Sequence, residues 1–170
     1  MGLTPLGGIP MVTRSGDLDP SVVTFLMKKE NITAEEIESI LNKEAGVYGI
    51  SNISIDFRDI ENEALVGDKS AILAIKNYVY LVASYISKCA VAMRGIDVLT
   101  FTAGIGEKSP YIRSEICKML NVFGVQIDEK LNDIKGEEQE ISTKNSKIKV
   151  YVIPTNEELM IAQETEKIIK

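Results

Sequence analysis

VLTFTAGIGEKSP, residues 98–110, decides the fold. Val98 to Thr102 form a short run of β-branched and aromatic side chains, the composition that packs on a pleated surface. Gly95 stops a long helical pattern before it, and Ser109–Pro110 opens another helix behind it. Strand, glycine-bearing loop and helix in succession form the unit from which α/β proteins are built.

Upstream the chain reads as mostly helical. Asp19 as N-cap and Pro20 at the first helical position start a helix to Glu30. Thr33, closing a capping box with Glu36, starts a second helix to about Ala45. Gly46 and Gly49 mark a loop. Asp56 to Val66 is expected to be a short helix ending at Gly67. Asp68 then caps the longest element, Lys69 to Arg94, apolar enough on several faces to be a buried central helix. Downstream, the helix from Pro110 runs to about Val122, residues 123–127 suit a strand, and strand character is weak at Glu140 to Ser142. Lys149 to Ile153 alternates as a strand, Pro154 breaks it, and Thr155 is expected to cap a terminal helix carrying Leu159, Met160, Ala162, Ile168 and Ile169. The expected class is α/β, with fewer strands than so many helices normally cover.

Composition narrows the function. The 170 residues are 45% hydrophobic and 26% charged, which suits a globular chain able to bury a core. A net charge of −6 argues against nucleic acid or an anionic membrane as partner. No apolar run of transmembrane length and no signal-peptide pattern is present, so a cytoplasmic location is expected. Cys89 and Cys117 lie in separate helical patterns without metal or redox spacing and read as two buried free thiols. The chain contains no histidine, which removes Ser-His and Cys-His nucleophile pairs and any histidine-ligated metal from its chemistry. What remains is arginine, carboxylates, backbone amides and metal-bound oxygen.

Four segments carry candidate chemistry. Gly104 and Gly106 follow the strand, where small residues let backbone amides approach a phosphate closely, although no Gly-Lys-Ser/Thr ends the loop and an ordinary βα turn looks the same. Residues 1–20, MGLTPLGGIPMVTRSGDLDP, hold four glycines and three prolines and place Arg14 in a loop, where its fork suits phosphate or carboxylate. A surface arginine beside a helix start is the simpler local reading. Glu157, in PTNEEL just after a strand, could ligate magnesium, but acidic residues are common in first helical turns for dipole reasons alone. Asp56-Phe57-Arg58, taken in isolation, is a capped helix start.

Taken together and in this order, GLTPLGGIPMVTRSGDLDP, GVYGISNISIDFRD, LTFTAGIGEKSPYIR and VIPTNEELMIA resemble the C-terminal part of acetate kinase, over essentially the whole chain. The resemblance implies one domain of actin-like, sugar-kinase-like (ribonuclease H-like) α/β architecture with an incomplete sheet. It also implies magnesium-assisted transfer of the γ-phosphoryl group of ATP to acetate, giving ADP and acetyl phosphate. Carried over, Arg14 would stabilise the transition state, and Asp56, Phe57 and Arg58 would contact nucleotide. Gly104, Ile105, Gly106, Glu107 and Lys108 would form the loop along which adenosine lies. Glu157 would bind magnesium, and Pro5 would fall near the acetyl pocket. A homodimer is the expected assembly. Three positions depart from the family's wording: Gly7 replaces glutamate, Lys108 replaces asparagine, and Val12 replaces a glycine, where a β-branched side chain is expected to strain or redirect Arg14. Family members are much longer, so the chain is expected to begin inside a domain, to leave the apolar face of its last helix without its usual partner, and to turn over little or not at all alone. The rival readings are a half of a split enzyme that pairs with a separate N-terminal polypeptide, a non-catalytic remnant that binds nucleotide or a partner, and a butyrate or propionate kinase.

Overall fold

A computed structural model describes residues 2–169, and the chain divides into two compact units, Met1–Arg94 and Gly95–Lys170. The first unit is all helical: α1 (Pro20–Glu30), α2 (Ala34–Lys43), α3 (Gly46–Ser51), α4 (Phe57–Leu65) and α5 (Lys69–Met93). Its helix starts follow local chemistry. Asp19 accepts from the Ser21 amide, the Thr33–Glu36 capping box closes in both directions, and Asp68 accepts from the Ala71 amide. The core is laid down by one face of α5, where Ala71, Ala74, Ile75, Tyr78, Val79 and Ala83 pack beneath Val47, Phe57, Ile60 and Ala64. Alanines at helical spacing let the shorter α3 and α4 approach closely, and Phe57 stacks in a tilted pair on Tyr78 with centroids 5.3 Å apart. The expected burial of α5 on several faces is corrected: Leu73, Tyr80, Val91 and Met93 face solvent, and so does Cys89.

The second unit holds a three-stranded sheet in the order β1 (Val98–Phe101), β3 (Lys149–Val152), β2 (Gln139–Glu140). β1 and β3 run parallel, Val98 opposite Lys149 and Phe101 opposite Val152, while β2 runs antiparallel to β3. The crossover between the parallel pair contains α6 (Ala103–Lys108), α7 (Pro110–Met119), a 3-10 turn (Leu120–Phe123) and α8 (Glu129–Asn132). Ile112, Ile116, Cys117 and Leu120 give the crossover its buried stripe, and Val150, Val152 and Ile141 give the sheet its buried face. The strand expected over residues 123–127 reduces to one bridge, Ile127 to Ser142. The last helix, α9 (Glu157–Ile169), has no buried residue, and Leu159, Met160, Ile161, Ile168 and Ile169 all lie exposed. Among the described residues no helix is long and apolar enough to cross a membrane.

Candidate active-site loops

The loop at residues 8–17 is built from main chain. Gly8 donates its amide to Asp17 Oδ1 at 2.7 Å, and Asp17 returns its amide to the Gly8 carbonyl at 2.8 Å. The Tyr85 hydroxyl on α5 donates to the other Asp17 oxygen. These donors, the Gly8 amide first, hold the Asp17 carboxyl below its ordinary value. Inside that clasp the Met11 amide donates to the Arg14 carbonyl, closing a tight turn. The outward carbonyls then serve the neighbouring helices: Met11 and Val12 accept from the Val47 and Tyr48 amides, and Thr13 accepts from Ala45. These donors are the orphan amides at the start of α3, so the loop is that helix's cap. The loop expected at Gly46 and Gly49 is therefore a helix. Gly46 sits at φ +62, and a Cβ there would lie 2.3 Å from the Met11 carbonyl oxygen, which only glycine escapes.

Arg14 rides on this frame. Its guanidinium lies 3.4 Å from the Met11 sulfur, and among the described residues no carboxylate pairs with it. Val12 lies outside the left-handed region, so a side chain in place of the family's glycine meets no backbone penalty there. Pro5 is exposed. Asp56 caps α4 through the Arg58 amide and forms a fork with the Arg58 guanidinium, which pulls the Asp56 carboxyl down to about 2. Arg58 points into solvent, whereas the Phe57 ring is spent on the core.

In the second unit the expected glycine loop is α6, a six-residue helix that continues straight from β1. Its entry is strained: Ala103 sits at φ +58, a region costly for any residue with a Cβ. Gly104 is exposed, and a Cβ built there meets no atom within 4 Å, while the corresponding Cβ on Gly106 would pack on Phe101. Ile105 is half-buried and Lys108 exposed. Glu107, 7% exposed, turns its carboxylate inward, where Oε1 accepts from the Ala103 amide, the Thr155 amide and the Thr155 hydroxyl. The Thr155 hydroxyl is thus committed away from α9, and Asn156 caps that helix instead by accepting from the Leu159 amide. Glu157 begins α9 with an exposed carboxylate that no hydrogen bond or ion pair engages among the described residues.

The residue that sequence reasoning missed is Arg113. Its guanidinium is wholly buried, with no carboxylate paired to it among the described residues, and donates to the Gly106, Glu107, Asn132 and Ile134 carbonyls and to Asn132 Oδ1. It ties the exit of α6 to the loop after α8. Its sequence signal is a charge set into the apolar stripe of α7 between Ile112 and Ile116. The neighbouring Cys117 thiol is buried and inert, its pKa pushed up to about 12 chiefly by desolvation.

The structure therefore joins Glu107, Thr155 and the start of α9 within the second unit, and places Arg14 and the Asp56–Arg58 pair within the first. Among the described residues no three acidic or cysteine side chains cluster into a metal cage. Magnesium does not require one, because it takes one or two carboxylates together with phosphate oxygens and water. The free carboxylate of Glu157 fits that pattern.

Comparison with known proteins places these loops in context. An acetate kinase of Thermosipho melanesiensis is 56% identical over all of this chain and 42% of its own length. One of Thermoanaerobacter pseudethanolicus is 54% identical over all of this chain and 43% of its own. Crystal structures of Porphyromonas gingivalis acetate kinase and of a propionate kinase from Francisella tularensis superpose with TM-scores of 0.93 and 0.89, at 43% and 41% identity. They match 100% and 96% of this chain, and 43% and 42% of theirs. The chain thus spans less than half the length of the relatives it matches. With the acetokinase family model matching residues 1–163, the chain belongs to the acetokinase family.

Proposed function

We propose that this chain contributes the C-terminal part of an acetate kinase, in which the carboxylate of acetate attacks the γ-phosphorus of ATP. The P–O bond to the β,γ-bridging oxygen breaks, and acetyl phosphate and ADP leave; no proton need be transferred. The observation that carries the reading is the family match over residues 1–163. Arg14 supports it, as a guanidinium that no carboxylate pairs with among the described residues, on a loop held by main-chain hydrogen bonds. Such a group neutralises charge on the transferring phosphoryl without reorganising, which is most of what phosphoryl transfer asks of a protein. Gly104 offers backbone that a nucleotide can approach without meeting a side chain. Glu157 would hold magnesium, which when bound offsets the negative charge of the phosphate oxygens. Pro5, Ile105, Lys108, Asp56, Phe57 and Arg58 keep their family roles as proposals, Phe57 by fixing the backbone between its neighbours. One domain, a homodimer and a cytoplasmic setting are proposed on family grounds. Propionate transfer is the second reading, favoured by the Francisella tularensis structure.

The test is trapping of acyl phosphate as hydroxamate, with the chain alone and mixed with a polypeptide covering the rest of a relative's length. Product is expected only in the mixture, with acetate ahead of propionate and butyrate. Absence of product in the mixture, with no Mg-ADP binding by the chain, overturns the reading. Gly104→Ala sharpens it: folding stability should stay within about 0.5 kcal/mol, since the new methyl meets nothing. ADP should bind about tenfold more weakly, a separation that titration calorimetry reads directly.

A further inference from the structure

A carboxylate held below its ordinary pKa and turned into the protein is an unusual member for a nucleotide-binding loop. Glu107 Oε1 is filled three times over: by the Ala103 amide at 2.6 Å, the Thr155 amide at 2.8 Å and the Thr155 hydroxyl at 3.0 Å. Its main chain is engaged as well, because its carbonyl accepts from the Gly136 amide and from Arg113. Two further observations meet at this carboxylate. Ala103, whose amide it takes, is the one residue of the turn in the left-handed region, at φ +58. Thr155 stands two positions before Glu157, and the pairing that delivers it, Ile153 amide to Phe101 carbonyl, ends there.

We propose that Glu107 is a positioning residue rather than a ligand contact. Its carboxylate holds Ala103 in the left-handed conformation and bolts the 103–108 turn to the 154–157 segment. The turn and the start of α9 then keep a fixed mutual geometry. The proposal rests on the nucleotide and magnesium roles given above only for what that geometry serves. A ligand-facing glutamate would keep its charge for the ligand, whereas Oε1 of this one is spent on the Ala103 and Thr155 amides and the Thr155 hydroxyl. Sterically the device is needed because Ala103 carries a methyl that resists φ above zero, and the shared acceptor offsets that resistance.

The experiment uses the whole chain carrying Glu107→Gln, Glu107→Ala or Thr155→Val. Amide hydrogen exchange followed by NMR should show Ala103 and Thr155 losing protection together in Glu107→Ala, by about tenfold or more, while Ile112 and Val150 keep theirs. Thr155→Val, the mildest change, should give a smaller loss at both amides. ADP titrations with and without magnesium supply the second readout. The magnesium-dependent gain in ADP affinity should shrink in Glu107→Ala as it does in Glu157→Ala, and the double variant should be no worse than Glu157→Ala. Ala103→Gly, added to Glu107→Gln, should restore part of that gain, because glycine accepts the left-handed conformation freely. Unchanged protection at both amides overturns the proposal, as does independent loss at one of them. If the unaltered chain binds no ADP, the nucleotide reading fails, and the exchange result alone decides the role of Glu107.

Discussion

The 8–17 loop and the 103–108 turn are fixed by a different balance of main chain and side chain. The first is chiefly a lattice of main-chain hydrogen bonds, clasped at its ends by the Asp17 carboxylate, in which two glycines, Gly16 and Gly46, stand where any Cβ would collide with backbone. Its charge, Arg14, hangs on the outside. The second is fixed from within by ionised side chains, Glu107 at its entry and Arg113 at its exit. A backbone lattice tolerates changes of side chain and fails at a glycine. A side-chain bolt tolerates changes of backbone residue and fails at a charge.

The heaviest loss should come from the second half of that contrast. Arg113→Met removes five hydrogen bonds from a buried site and should destabilise folding by about 3–5 kcal/mol. The urea midpoint measures it. A loss under about 1 kcal/mol would mean that the buried carbonyls find other partners and that the turn is not held by charge. Gly46→Ala attacks the lattice and should cost about 2–3 kcal/mol, with the Val47 and Tyr48 amides losing protection first. If Gly46→Ala instead loosened the 103–108 turn, the two devices would not be separate.

The mildest effect is electrostatic and exposed. Asp56 is held at about 2 against 3.8 in its ordinary state, with the Arg58 guanidinium as the first cause and the Arg58 amide as the second. The ionised form is favoured by the fold, so its contribution is present above the ordinary value and fades as pH falls from about 4 to 2. Arg58→Ala should raise the Asp56 pKa toward 3.8 without reaching it, since the backbone amide remains. A carboxyl carbon titration by NMR that still centred near 2 would remove the guanidinium as cause.

Sequence legibility follows the same divide. Helix starts decided by a side chain within three residues, at Asp19, Thr33, Asp68 and Ser109, can be read directly, because cap and donor are adjacent in the chain. The parallel pair β1 and β3 is visible in its β-branched runs. Two helices, α3 and α6, look like loops because glycines sit in them, and each is completed by partners far away: the carbonyls of Met11 and Val12 for one, Glu107 with Thr155 and Arg113 for the other. Thr155 has every local mark of a cap, yet its hydroxyl is drawn to a carboxylate 48 positions away, leaving the role to Asn156. An apolar helix pattern suggests burial for Cys89, but α5 buries one face and Cys89 is on another. Of the site, residue types are legible and commitments are not: nothing local distinguishes the inward carboxylate of Glu107 from the free one of Glu157.

α9 gives that free carboxylate an unusual mount. A helix of 13 residues that buries none of them draws little from tertiary packing, and in water a segment of that length is marginal by itself. Thr155 is anchored and Glu157 is two steps beyond the anchor, so the helix behaves as an arm rather than a wall. Any surface that receives its leucine, methionine and isoleucines must also supply the entropy of stiffening it, and will bind more loosely per unit of area than it would a rigid ridge.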